Sequence, residues 1–407
     1  MWLVFIESNT SGTGRLFAQS ARRLGYRPVL IARAPASYAY VEADRIDCVQ
    51  VDTSDFSQLE ATVRGLGPAV AGITSSSEYF VAIAARLARG AGLVAPDPEA
   101  IDRCRNKGRQ REVLAAAGIP VPAFALARTA CDAAAAAQRL GYPVVLKPTL
   151  GSGSYLVRLC RQPAETRAGA EAILQGGRNE RGTALPDELL VEEYVDGPEY
   201  SVEAFGPEEI VGITRKHLGA PPNFVEIGHD FPAEAPEDAA AALRDWTSRS
   251  LSAIGLHSGP SHSEWRLAAD GRPRLMEINP RLAGGFIPEL IRHAIGIDMI
   301  EQAVRYVADR PLELTPSAER NAAIRFAVSR REGRLAQASG VAQAREAPGV
   351  VDAQIYREPG QMVAVHGDFR DRLGHVLAAG PHPKAVAAQA ESALRRLQFE
   401  IVAGAAA

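Results

Sequence analysis

The run Leu275 to Gly285, reading LMEINPRLAGG, places a carboxylate, an amide and a guanidinium at every second position of one short extended stretch. Side chains two apart on a strand share a face, so Glu277, Asn279 and Arg281 project together while Ile278 and Pro280 face away. Two hard oxygen donors next to a cation can hold Mg²⁺ against a phosphate. A second alternating run, HSEWRL, lies upstream across the turn Ala269-Asp270-Gly271. A hairpin there brings Glu264 opposite Glu277, and three oxygen ligands converge. Taken alone, E-x-N-x-R is more often a solvated edge hairpin, so the rest of the chain decides.

Only four lysines occur among 45 basic residues: Lys107, Lys147, Lys216 and Lys384. An Arg-rich composition accounts for the scarcity, but an ammonium point charge and a guanidinium fork act differently around phosphate. Lys147 ends a strand directly before Gly151-Ser152-Gly153-Ser154, whose glycines let backbone N–H groups approach phosphate oxygens. That is a phosphate cradle without a Walker sequence, or else a plain hairpin turn. Further on, VEEYVDGPEYSVE offers Glu192, Glu193, Tyr194 and Val195 as a hinge whose backbone can bond an adenine edge. Glu199 beyond the turn can take ribose hydroxyls. Charged strand residues are otherwise commonly solvated.

A chain of 407 residues exceeds one ordinary core and predicts two to four domains. A net charge of -3 and a pI near 6.3 give no global reason to expect nucleic-acid binding. Cys48, Cys104, Cys131 and Cys160 show no zinc spacing and suit reduced thiols in a cytoplasm. The opening MWLVFIES is too short for a membrane span and reads as a first strand. Residues 1–95 alternate strands and helices as a small α/β layer domain. Its S-G-T-G-R turn lacks the third glycine of a dinucleotide fingerprint and reads as a structural or ligand-facing turn. Ser75 to Ser77 end a strand, and a helix starts near Glu78. Pro96 and Pro98 mark a boundary, followed by one helix, DRCRNKGRQREVLAAAG. Residues 96–311 form the central domain, with a subdomain at about 121–190. Residues 312–407 form a terminal α+β module with strands near AAIRFAVS, VDAQIYRE and GHVLAAG and a closing Ala-rich helix.

Taken in order, Lys107, Lys147 with its loop, E-E-Y-V, Glu199, Glu264 and E-I-N-P-R resemble the ATP-grasp superfamily over most of the chain. The resemblance implies an ATP-grasp fold of mixed α/β and α+β class, with a Rossmann-like N-terminal domain and ATP held between two subdomains. Lys107 and Lys147 would meet the phosphates, the loop at 150–155 would form a lid, and Glu264, Glu277 and Asn279 would hold Mg²⁺, with Mn²⁺ as an alternative. Within the superfamily the chain is most similar to the L-amino acid ligases, through S-S-S-E at Glu78, F-V-E-I-G-H with Glu226 and His229, H-S-E with His262, and Arg281. That narrower resemblance implies small-molecule substrates, an acyl phosphate between two amino acids, and room for a homodimer. Glu78, Glu226, His229, Arg281, Gly284 and Gly285 would form the substrate side, with Arg281, Lys147 and His229 catalytic. The terminal module would be structural, shaping one wall of the cleft. The rival expectations are a carboxylase acting through carboxyphosphate and a nucleotide-binding sensor without turnover.

Overall fold

The computed structural model describes residues 1–10, 12–151, 153–177 and 187–403. The N-terminal residues form a four-stranded parallel sheet in the order Asp47–Gln50, Arg27–Ala32, Trp2–Ile6, Val70–Thr74. Apart from the edge strand Asp47–Gln50, its strands are largely apolar runs because helices such as Thr13–Arg23 and Val81–Gly90 cover the faces. Strand ends in such sheets point their loops at a common crevice. Here Asn9, Thr13 and the Ser75 to Glu78 segment all reach one cavity. The helix after Thr74 begins at Val81 rather than near Glu78, so Glu78 sits in the turn before it.

A second sheet, antiparallel, runs Phe124–Ala127, Leu189–Glu193, Val144–Pro148, Arg158–Cys160, with helices Ala130–Leu140 and Pro163–Gln175 packed on it. The third sheet has eight antiparallel strands. From Pro273–Asn279 it passes through Pro260–Leu267, Glu199–Phe205, Glu209–Leu218, Glu226–Phe231, Asn321–Val328 and Arg372–Gly380 to Val350–Ile355. The pattern reset at Leu312 therefore falls inside one continuous sheet, in which His229 pairs with Ile324. Pairing of that kind is non-local and leaves no local mark in the sequence. A small sheet of Met362–Val363, Gly333–Ser339 and Gln398–Val402 completes the terminal region. One apolar cluster links Phe5 and Phe17 of the first region, Ile287 and Ile291 of the helix Ile287–Ile295, and Phe326 and Leu377 of the last strands. Among the described residues no helix is long and apolar enough to cross a membrane.

The single helix expected after Pro98 is two, Pro98–Arg105 and Lys107–Ala116. Asn106 breaks it with an extended backbone, and its Oδ1 accepts the Arg109 N–H at 3.0 Å as an N-cap. The break puts Lys107 on the first turn of the second helix, where its own N–H donates to Thr149 O at 2.8 Å. Capping thus moves the lysine from the middle of a helix to a helix N-terminus, whose dipole favours anions.

Candidate active site

The hairpin forms with Glu264 opposite Glu277 and His262 opposite Asn279. Buried Gln110 clamps its outer strand to the helix Lys107–Ala116, giving Nε2 to Ile278 O at 2.9 Å and taking the Ile278 N–H on Oε1 at 2.9 Å. That clamp sets Lys107 beside the strand. Its Nζ lies 2.9 Å from Glu277 Oε1 and donates to Gly151 O at 2.7 Å. Three motifs spread from Lys107 to Glu277 thus meet at one ammonium. Among the described residues no three His, Cys, Asp or Glu side chains form a metal cluster. Mg²⁺, however, typically takes one or two carboxylates plus substrate phosphates instead of a protein cage. The hard oxygen donors Glu264, Glu277 and Asn279 on adjacent strands fit that chemistry.

Lys147 is buried and ion-paired with Glu192, whose other oxygen pairs with buried Arg111. Burial pushes the Lys147 pKa down, and Arg111 adds to this against the pull of Glu192. The Glu192 pKa is also lowered: burial favours its neutral form, but Arg111 and Lys147 outweigh that and hold it ionised. The Glu192 side chain is therefore an internal counter-ion. In the hinge the Glu193 N–H bonds Ala123 O at 2.8 Å and the Tyr194 N–H bonds Pro143 O at 3.2 Å. Val195 N–H is then the hinge donor with no bond among the described residues. The Arg266 guanidinium sits 5.6 Å from the Tyr194 ring and 5.1 Å from that of Phe224, giving a flat π-rich wall. Glu199 Oε2 accepts from Arg266 Nε at 2.9 Å, and its Oε1 is 3.1 Å from Lys216 Nζ. In the glycine loop, Ser152 lies outside the described residues. Gly153 has φ 64°, and a Cβ there would stand 2.4 Å from Phe369, so the loop packs on the terminal module. Ser154 donates to Phe224 O at 3.2 Å.

Lys216 is the residue that sequence reasoning passed over. Its buried ammonium lies 2.8 Å from Glu264, 2.9 Å from Glu226 and 3.1 Å from Glu199. Burial opposes its charge, but these three carboxylates outweigh it and raise its pKa well above the ordinary value. Glu264 also meets His262 Nε2 at 3.0 Å, while His262 Nδ1 is 2.9 Å from buried Glu203. Burial disfavours the imidazolium, yet the two carboxylates push His262 up to about 9. Glu226 is held by Arg372 as well, Nη2 to Oε2 at 2.6 Å. Arg372 lies on a terminal strand, so the module expected to shape one wall of the cleft also brings a charged side chain to the cavity.

His229 is fully buried, 3.6 Å from Glu226 Oε2, and neither ring nitrogen has a hydrogen bond among the described residues. Burial lowers its pKa against the pull of Glu226. The ring has no surface open to a substrate in this conformation. It packs beneath Gly285, where φ is 60° and a Cβ would meet His229 Nε2 at 2.5 Å. Gly285→Ala should therefore cost about 1 to 3 kcal/mol, read as a shift in the urea midpoint, through left-handed strain and displacement of that ring. An unshifted midpoint would mean that the loop moves freely.

On the N-terminal side Arg281 gives Nε and Nη2 to Glu78 Oε2 at 2.9 and 2.7 Å. Arg281 lies past the strand, which ends at Asn279, and swings to Glu78 instead of continuing the row of alternate residues. Burial opposes the Glu78 charge, but Arg281 and Lys107 hold its pKa low. Lys107, Lys147, Glu192, Glu199, Lys216, Glu226, Glu264, Glu277, Asn279, Arg281 and Glu78 all border one cavity of about 490 Å³. That is the size range of small-molecule sites. Gly284 and Gly285 form its rim below Arg281.

An ATP-grasp domain matches residues 140–289, and L-amino acid ligase C-terminal domain 2 matches residues 325–402. The chain belongs to the ATP-grasp superfamily and carries a terminal domain of the L-amino acid ligase type. It is similar to protein y4rH of Sinorhizobium fredii, 39% identical over 381 residues, which span 93% of this chain and 78% of that one. Alanine–anticapsin ligase of Bacillus amyloliquefaciens is 25% identical over 250 residues, 57% of this chain and about half (53%) of that ligase. In fold, the L-amino acid ligase from Bacillus licheniformis superposes with a TM-score of 0.81 at 21% identity, covering 98% of each chain.

Proposed function

We propose that this protein joins the carboxylate of one amino acid to the amine of a second through an acyl phosphate, releasing ADP and phosphate. The observation that carries the reading is Lys107 Nζ, which meets both Glu277 and the carbonyl of Gly151. It supports a reading in which a carboxylate suited to Mg²⁺ stands within one side chain of a loop suited to phosphate. A match to the ligase-type terminal domain, which lends Arg372 to the same cavity, favours ligation over the carboxylase and sensor readings.

In the reaction, a substrate carboxylate oxygen attacks the γ-phosphorus and the bond to the β-bridging oxygen breaks, so ADP leaves. The amine lone pair then attacks the acyl carbon, inorganic phosphate departs, and the amine loses a proton. Phosphorylation is needed because oxide is a prohibitive leaving group. Lys147 and Lys107 would hold the phosphates with the loop from Gly151 to Ser154, and the wall of Tyr194, Phe224 and Arg266 would take adenine, with Val195 N–H as its donor. Glu264, Glu277 and Asn279 would hold Mg²⁺, or Mn²⁺, whose role when bound is to neutralise phosphoryl charge. Arg281 would face the developing oxyanion. Glu78 and Glu226 offer carboxylates to the ammonium groups, and His229 orients Glu226. Loop closure would keep water from a hydrolysable intermediate.

The test is product analysis with Mg·ATP and pairs of amino acids, with mass detection of new amides. ADP appearing only with particular pairs, beside a product one water lighter than their sum, is expected. ADP release dependent on bicarbonate would mean carboxylation, and AMP would replace phosphoryl transfer with adenylation.

A further inference from the structure

Phe286 adopts φ 62° and ψ 15°, a left-handed conformation that bulky residues rarely take, directly after Gly285 at φ 60°. Such outliers persist only where the surroundings over-determine them, and they cluster at working sites. The ring is held by a seat on the terminal strands. Its centroid is 4.3 Å from His375, 6.4 Å from Phe326, and 6.5 Å from Tyr356 with planes within 4°. His375 is itself immobilised, fully buried with Nδ1 2.7 Å from the Tyr356 hydroxyl and Nε2 3.1 Å from Asp352 Oδ2. An Asp-His-Tyr relay invites a nucleophilic reading, but burial raises the Tyr356 pKa and His375 has no exposed atom. The phenol stays protonated, and the trio is a support.

We infer that Phe286 is a positioning residue: seated by His375 and Tyr356, it holds the loop from Arg281 to Gly285 down on His229 and thereby sets the substrate side of the cleft. Two chains of contact carry the effect. Gly285 lies on the His229 ring with no room for a Cβ. Phe326, which touches Phe286, also takes the His229 ring edge-on at 5.7 Å and the Arg372 guanidinium on its face at 3.9 Å. Arg372 in turn fixes Glu226. Phe286 does not border the cavity and acts through these neighbours. Its kinetic consequence rests on the ligase reading above, whereas its hold on the loop does not.

The test compares Phe286→Ala, Phe286→Gly and Phe286→Leu in the full chain. Amide hydrogen exchange of residues 282–287 without substrates should speed up about tenfold or more in the Ala and Gly variants, and less in Leu. The glycine variant separates ring from strain: protection at or above the wild-type level there would mean the ring does not hold the loop, and would overturn the proposal. For ligation, the KM of at least one amino acid should rise about tenfold, with the KM of ATP unchanged. Faster exchange with every KM unchanged would reduce Phe286 to packing and refute the positioning role. If wild-type protein makes no amide from any pair, the ligase reading fails, and the exchange comparison alone decides whether Phe286 holds the loop.

Discussion

Glu277→Gln is expected to lower ATP-dependent product formation by about 10²- to 10³-fold, the range seen when one preorganised electrostatic partner of a transition state is lost. The substitution keeps the size of the side chain and an oxygen for Lys107 Nζ, which retains its bond to Gly151 O at 2.7 Å. The fold should survive with a urea midpoint lowered by about 1 to 3 kcal/mol without nucleotide, because buried Lys107 loses its charged partner but keeps an acceptor. The loss is chemical: a neutral amide is a poor ligand for Mg²⁺, and the negative charge that draws the cation to Glu264 and Asn279 is halved. ADP release at saturating Mg·ATP, measured beside the denaturation curve, checks both halves. Full turnover would remove Glu277 from the metal set. Lost turnover with a collapsed midpoint would recast it as a structural partner of Lys107.

The pairing of Glu264 with Glu277 was readable because hairpin register is local: alternation plus a short turn sets which side chains face each other. Arg281 escaped the same rule because the ladder stops at Asn279, where Pro280 has no N–H to continue it. Lys216 was visible as a rare lysine, yet its meaning comes from carboxylates on three other strands, Glu199, Glu226 and Glu264. No local pattern encodes that convergence. Arg372 and Phe286 are of the same kind, since the terminal strands join the large sheet across a gap in sequence that periodicity cannot bridge. The break at Asn106 carried a readable capping residue, hidden inside a run that is polar and helical on both sides. Within the small sheet, Met362–Val363 was missed because a two-residue strand has no period to detect.

Glu192→Ala should destabilise the protein by about 3 to 5 kcal/mol, the usual cost of removing one partner from a buried ion pair. Here the removal strands two cations, because Lys147 and Arg111 are both buried and both paired to this carboxylate. Arg111 stays charged at any working pH. Lys147 can escape by losing its proton, and burial already depresses its pKa from the ordinary 10.5. Without Glu192 that depression deepens. The folded variant then binds fewer protons than the unfolded chain over the range below 10.5, so its stability should rise with pH there. Urea midpoints of the variant are thus expected to recover partly between neutral pH and about pH 9.5, with a steeper rise than the wild type, whose Lys147 pKa is depressed less. Adding Lys147→Met should restore part of the loss at neutral pH and abolish the recovery, a non-additivity that marks direct coupling. A loss below about 1 kcal/mol with no pH dependence would mean that water reaches the pair. Glu192 would then no longer explain how a buried lysine is kept charged and aimed at the phosphate loop.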